Sequence, residues 1–291
     1  MSVAAATLAD LNPVRRLLQT AAYCYLDIGA EDLSVLLAQT HSMLGRENGR
    51  LWGFFGVQQE DRPATLPAAA PTRAYVRVLA VQRPMRPGPA LQALLGPLQE
   101  QLAGAVPGVQ LICYGAEVWV HQALSENGFA EVERVQFFEL ERLPQRAAAL
   151  PPGPPQVQIT PGHPDYLAEL ARLDAGAFAP LWHFGPRDLL EMLMRCRVQL
   201  AWWEGVLVGY TAVCANSRSE AQLARLAVHP DYQGRGIGRA LLGDAIHYAA
   251  QEFDRLVLNT QTTNQRSQKL YLGFGFRPIG LSVPVLVRLI N

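Results

Sequence analysis

Between Gln156 and Asn291 the hydrophobic pattern switches repeatedly between the two-residue period of strands and the longer period of amphipathic helices. Val157-Gln-Ile159 opens as a strand, and Pro164 to Ala177 and Pro186 to Cys196 read as helices. Val198 to Trp203 and Val206 to Val213 are apolar or alternating runs on either side of Glu204-Gly205, a hairpin signal. Asn216-Ser-Arg-Ser219 then turns the chain into a strand over Gln222 to Val228. Further on, a helix is predicted over Gly238 to Glu252, a strand over Leu256 to Thr260, a helix over Asn264 to Leu272 and a last strand over Val283 to Leu289. Strands and helices in this mixed order predict an α+β fold, a mostly antiparallel central sheet flanked by helices.

The first half repeats the second. Leu79-Ala-Val81 matches Leu226-Ala-Val228 at an offset of 147. Ala93-Leu-Leu-Gly96 matches Ala240-Leu-Leu-Gly243, and Gly128-Phe129 matches Gly275-Phe276, at that same offset. Nearer the N-terminus the offset is 156: Gly29, Asp32-Leu33, Gly49, Leu51 and Gly53 match Gly185, Asp188-Leu189, Gly205, Leu207 and Gly209. The difference, 156 − 147 = 9 residues, fits an insertion in the first copy. The Pro/Ala-rich piece from Asp61 to Thr72, in a hairpin loop, is the natural place for it. Leu143 to Pro155 is Pro-rich and nearly uncharged, which predicts a semi-rigid linker. The expected organisation is a tandem duplication: residues 1–142, a linker over 143–156, and a second copy over 157–291.

The copies differ at one glycine-rich turn. Gln233-Gly-Arg-Gly-Ile-Gly238 follows a predicted strand and opens a predicted helix. Its backbone N–H groups, bare of side chains at a helix N-terminus, suit a pyrophosphate. A Walker loop is excluded because no Lys-Ser/Thr follows Gly238, and a dinucleotide-binding turn fails at Leu241 or Arg239. What fits is Gln/Arg-x-x-Gly-x-Gly/Ala straight after a strand, which resembles the acyl-CoA loop of the GNAT acetyltransferase superfamily. Asn264 and Tyr271, followed by Gly275-Phe276, resemble that superfamily's Asn-x6-Tyr-x3-Gly-Phe segment. The resemblance covers roughly Gln156 to Asn291. It implies two tandem GNAT-like domains, with acetyl-CoA as cofactor of the second. Leu226, Ala227, Val228, Gln233, Gly234, Arg235, Gly236, Ile237, Gly238, Arg239, Asn264 and Tyr271 would hold it, where two neighbouring strands part. Tyr271 is the catalytic candidate, a proton donor to the leaving sulfur. In the first copy Pro87, Pro89 and Leu91 stand at the positions of Gly234, Gly236 and Gly238, and Glu117 and Leu124 at those of Asn264 and Tyr271. Proline has no N–H to offer, so that copy is expected to keep the fold and lack the cofactor.

The acceptor is less legible. The resemblance to ribosomal-protein N-terminal acetyltransferases puts a general-base Glu twelve residues before the Tyr, where this chain has Asn259. Glu220 and His229 are the alternative bases. Phe178, Trp182 and Phe184, with His183 among them, form an aromatic stretch suited to walling a substrate. The expected reaction is acetyl transfer to a primary amine of a small molecule or peptide. A non-catalytic acyl-CoA-binding protein, or an acetyltransferase like mycothiol synthase, are the alternatives. Lys+Arg and Asp+Glu both total 25, which argues against a nucleic-acid partner. No long apolar run, signal pattern or metal-ligand spacing appears, so a cytoplasmic protein without membrane or metal is expected, as a monomer or homodimer. Cys24, Cys113, Cys196 and Cys214 form no CxxC pair and are expected to be unpaired thiols.

Overall fold

The computed structural model describes every residue except 29–31, 39–40, 104–107 and 151–152; Gly29, one of the repeat matches, lies outside the described residues. The chain divides into two compact units, Met1–Arg62 with Ala68–Arg134 and Val283–Asn291, and Pro63–Pro67 with Val135–Ser282. In the first half the elements are β1 (Ser2–Ala5), α1 (Leu11–Thr20), β2 (Tyr23–Leu26), α2 (Leu33–Ala38), β3 (Ser42–Glu47), β4 (Arg50–Gln59), β5 (Thr72–Val81), α3 (Pro87–Leu102), β6 (Val109–Tyr114), α4 (Val118–Glu126) and β7 (Ala130–Glu141). There follow α5 (Leu143–Ala148), β8 (Val157–Pro161), α6 (Leu167–Ala177), α7 (Pro186–Arg195), β9 (Arg197–Trp203), β10 (Val206–Ala215), β11 (Glu220–Val228), α8 (Ile237–Glu252), β12 (Arg255–Gln261), α9 (Gln265–Gly273) and β13 (Arg277–Ile290).

The first unit's sheet runs β1-β3-β4-β5-β6 and is completed by the end of β13, Val285–Ile290 pairing antiparallel with β6. The second unit's sheet runs β12-β11-β10-β9-β8 and is completed by Val135–Glu141 of β7 on β12. Each unit thus draws one strand from beyond the expected boundary. The unit borders fall within β7 and β13 rather than in the Pro-rich segment. The physical reason is that β6 and β12 would otherwise be bare edges, and an unpaired edge exposes a row of backbone donors and acceptors.

The expected linker is also more structured than its composition suggests. Pro144 occupies the first turn of α5, where its missing N–H costs nothing. Leu143 and Ala147, one helical turn apart, are buried with Leu242, Ala245 and Ile246 of α8. The hairpin at Glu204-Gly205 forms as predicted. Both residues have positive φ, 50° and 79°, the turn that matches the twist of β9 and β10. Apolar residues cover both faces of the second unit's sheet, Leu170, Leu189 and Tyr210 on one side and Leu242, Ile246 and Leu258 on the other.

Cys196 and Cys214 are joined as a disulfide, Cα–Cα 4.4 Å, contrary to the expectation of unpaired thiols. They stand one step beyond the Arg197–Val213 rung of the β9–β10 ladder and face each other across it. Their sequence separation of 18 gives no hint of that register. Cys24 and Cys113 are free. Closing a loop of this length is worth about 3 kcal/mol in the chain-entropy account. Reduction is therefore expected to lower the melting temperature by several degrees in calorimetry. A Cys196→Ala/Cys214→Ala variant should start from the lower value and not respond to reductant.

Candidate active site

The site begins with a gap in the sheet. β11 and β12 run parallel and pair only along Glu220–Gln222 and Arg255–Val257. Beyond that, β12 stays with β7, and β11 continues to Val228 with β10 on its other edge. The freed edge at Leu226, Ala227 and Val228 lines a cavity of about 430 Å³. The first unit shows the same parting: β5 and β6 pair only along Thr72–Tyr75 and Val109–Ile112. There the freed edge Val78–Val81 is taken by β2, which pairs antiparallel from Leu26 opposite Val78 to Tyr23 opposite Val81. Val78–Val81 lies 147 residues before Arg225–Val228.

The glycine turn closes the far end of the cavity. The Gln233 side chain donates to the Val228 carbonyl at 3.1 Å and accepts a hydrogen bond from Arg266, which ties the turn to α9. Gly236 has φ +83°, and a Cβ there would lie 2.8 Å from Pro154. Gly238 is different. A Cβ on it would meet only ordinary contacts with Leu270, Val228 and Leu226, so what glycine provides there is room in the cavity. The first N–H groups of α8 have no intrahelical partner. Arg239 and Arg266 line the same cavity. Helix dipole, free N–H groups and two guanidinium groups together give this end a positive character that suits an anion.

Of the predicted residues, the cavity brings together Leu226, Ala227, Val228, Gln233, Gly234, Gly236, Ile237, Gly238, Arg239, Asn264 and Phe178. Arg235 is not on its wall; its guanidinium stacks over Tyr232 at 5.0 Å and Trp203 at 5.5 Å. Asn264 caps α9, its Oδ1 accepting from the Ser267 N–H at 3.1 Å, so only its NH2 remains to serve a ligand carbonyl. Tyr271 is buried behind the wall, its ring 6.4 Å from Phe138 and 5.9 Å from Phe276. Burial pushes its phenol up to about 12, against the opposing hydrogen bond of Ser267, itself a wall residue. The phenol is therefore protonated throughout the neutral range and cannot be a base.

Neither expected base is well placed. Glu220 lies at the other end of β11, eight residues or roughly 26 Å from Val228, and is engaged by Arg255 at 2.5 Å. His229 adjoins the cavity, but its Nδ1 accepts from the Asp231 N–H, which leaves the proton of the neutral ring on Nε2. Asn259 is exposed on β12.

The aromatic stretch performs a task the sequence did not reveal. Arg225 of β11 lies 3.6 Å from the centre of the Phe178 ring and 4.0 Å from that of Phe184. It donates through Nε and Nη2 to the two oxygens of Asp174, at 2.9 and 2.8 Å, and to the Trp182 carbonyl at 2.7 Å. Asp174, fully buried on α6, also accepts from the Tyr210 hydroxyl at 2.5 Å and the Phe184 N–H at 2.6 Å. The Tyr210 phenol is held far above its ordinary value by burial and by Asp174. Phe178 and Phe184 thus grip a cation of the chain's own, and Phe178 is thereby fixed in the cavity wall. Trp182 contributes its backbone. His183 is buried rather than at an open helix end. One signal was readable: Asp174 falls on the apolar face formed by Leu170, Ala171 and Leu173, and Arg225 interrupts an apolar strand.

Residues 167–276 match the family model of the acetyltransferase (GNAT) family. The second unit carries a GNAT acetyltransferase domain. Among curated relatives, N-alpha-acetyltransferase RimI of Mycobacterium tuberculosis is 36% identical over 80 residues, 26% of this chain and 49% of that protein. N-acetyltransferase 8B of Mus musculus is 39% identical over 64 residues, 22% of this chain and 28% of that protein. The chain therefore spans about half, or less, of the length of such relatives. Two solved structures align with the whole chain: a GCN5-related N-acetyltransferase from Sphaerobacter thermophilus, TM-score 0.62 over 96% of its length, and a tandem GNAT protein from the clavulanic acid biosynthesis pathway, TM-score 0.64 over 98%. Both are 16% identical, so the likeness is one of fold.

Removing Asp174 strands a nearly buried guanidinium and a buried phenol. Asp174→Ala is expected to destabilise the GNAT domain by about 3–5 kcal/mol, read as a lower urea midpoint. The double variant Asp174→Leu/Arg225→Met should recover much of that loss.

Proposed function

We propose that the protein transfers the acetyl group of acetyl-CoA to a primary amine of a small molecule or peptide, both bound together in the second unit. The observation that carries this reading is the single cavity in which the unpaired edge Leu226–Val228 runs into the helix N-terminus at Gly236–Arg239. An extended chain with amides along it and a diphosphate at one end matches that sequence of donors, acceptors and positive charge. The N–H groups of α8 with Arg239 and Arg266 would hold the diphosphate. The β11 edge and the Asn264 NH2 would take the pantetheine amides. Bound acetyl-CoA supplies an acetyl group already activated as a thioester. A β11 backbone N–H near Val228 would be the donor that polarises the thioester carbonyl. Holding amine and carbonyl together contributes most of the acceleration, up to roughly 7–11 kcal/mol where geometry is favourable.

Tyr271, just behind the Ser267 wall, would support the leaving sulfur as a hydrogen-bond donor rather than as an acid. A phenol at about 12 is a weaker acid than a thiol near ~8.5, so full proton transfer to the thiolate runs uphill. The proton that ends on sulfur comes instead from the attacking nitrogen. With Asn259 in place of a carboxylate and His229 engaged at Nδ1, the amine enters as the free base. In the first unit β2 fills the corresponding edge, and Pro87 and Pro89 remove two N–H donors, so we infer one acetyl-CoA per chain. A second reading, an acyl-CoA-binding protein without turnover, is favoured by Asn259 alone; thiol release across a panel of amines separates the two.

Calorimetric titration with acetyl-CoA should show one site. Gly238→Leu, which installs the first copy's residue, should weaken binding by about 100-fold or more, some 2.7 kcal/mol. Two equivalent sites, or no effect of that variant, would overturn the assignment. Tyr271→Phe should leave affinity within a factor of a few and lower kcat by about 10–100-fold, the loss of a hydrogen bond to a charged group. With an amine acceptor, kcat/KM should climb with pH toward the amine's own pKa. No Tyr271 ionisation limb is expected below about pH 10, given the raised phenol; a limb near neutrality that persists across acceptors would point to an enzyme base.

A further inference from the structure

In the first unit, β2 occupies only part of the stretch that corresponds to the second unit's cavity. Where α3 begins, a cavity of about 380 Å³ remains open beside Tyr23, the Pro87-Gly88-Pro89 turn, Trp119 and Glu126. By the offset of 147, this is the counterpart of the diphosphate end, but its chemistry is reversed. Arg235, Arg239 and Arg266 are replaced by Gly88, Gln92 and Trp119. The two prolines withhold the N–H groups an anion would need. The Glu126 carboxylate lies directly against the first turn of α3, 1.9 Å from where a Cβ on Gly88 would stand. The Gln122 side chain holds it there at 2.8 Å.

The aromatic walls are also fixed. The Trp119 indole N–H donates to Glu117 at 2.5 Å, and its ring lies 5.5 Å from that of Tyr23 at 52°. Asn127 donates to the Gly88 and Ala123 carbonyls at 2.9 and 2.8 Å, which pins the end of α4 to the start of α3. Arg86, exposed on the rim, is the one cationic side chain on the wall among the described residues.

We propose that this cavity binds a small organic cation, an alkylammonium or arylalkylammonium ion, with its charge between the two rings and the Glu126 carboxylate. Ring faces and a carboxylate attract an ammonium group, and repel the diphosphate that the corresponding place in the second unit attracts. The ligand is thus of opposite sign to the one proposed for the other half, and its binding stands independently of catalysis.

The test is calorimetric titration of the full-length protein at neutral pH with phenethylammonium, and with 3-phenylpropionate as the anion of similar shape. Saturable binding of the cation and none of the anion is expected. Glu126→Gln should weaken cation binding by about 10-fold, and Trp119→Ala by at least as much. Glu126 is exposed, so its variant should melt with the parent and remains informative even where Trp119→Ala perturbs folding. No saturable cation binding, equal binding of phenylpropionate, or binding indifferent to Glu126→Gln would each overturn the proposal.

Discussion

A strand edge that loses its sheet neighbour needs other hydrogen-bond partners, and the described residues contain two such edges made in the same way. In each unit two parallel strands start side by side and part after a few residues. The parting leaves one side of β5 and one side of β11 without a sheet neighbour. The first unit resolves this internally, with β2 laid along Val78–Val81. The second leaves the edge facing a cavity. One half of the molecule therefore covers with its own chain the edge whose counterpart the other half leaves beside a cavity. The glycine turn, the caps on α9 and the arginines around them add charge and fit to a requirement set by the backbone.

Much of this was readable from residue order because it is local. Periods of two or 3.6, the Glu204-Gly205 turn and the Asn264 cap depend on neighbours within a few positions, and the elements of the second half formed close to where their patterns lie. The long-range facts were not readable. Nothing local to Val135–Glu141 or Val285–Ile290 says which sheet those strands complete. The Cys196–Cys214 pair depends on a ladder register, and α5 on a surface of α8 that Leu143 and Ala147 happen to meet. Proline-rich composition suggested a free linker because composition carries no information about what lies nearby.

The candidate site divides along the same line. The glycine turn, the β11 edge and Asn264 were found from spacing, and the structure brings them to one cavity. Tyr271 was singled out from the same spacing, but its burial behind Ser267, which raises its phenol, is a property of packing. The aromatic stretch was located, and the structure shows a further contact that its sequence did not reveal. Phe178 and Phe184 hold Arg225 between them, and Phe178 also stands in the cavity wall. A fully buried carboxylate with four hydrogen bonds to it makes that wall rigid, and rigidity in the groups that frame a reacting pair preserves their alignment.

The allocation of strands has an evolutionary corollary. A duplicated gene usually leaves two modules that selection can later separate, trade or discard. Here each half has lent a strand to the other's sheet, so a descendant that lost either half would inherit the survivor with a missing edge and a surplus tail. Each sheet is closed by a strand from the other half of the sequence, so neither half of the chain carries a complete sheet by itself.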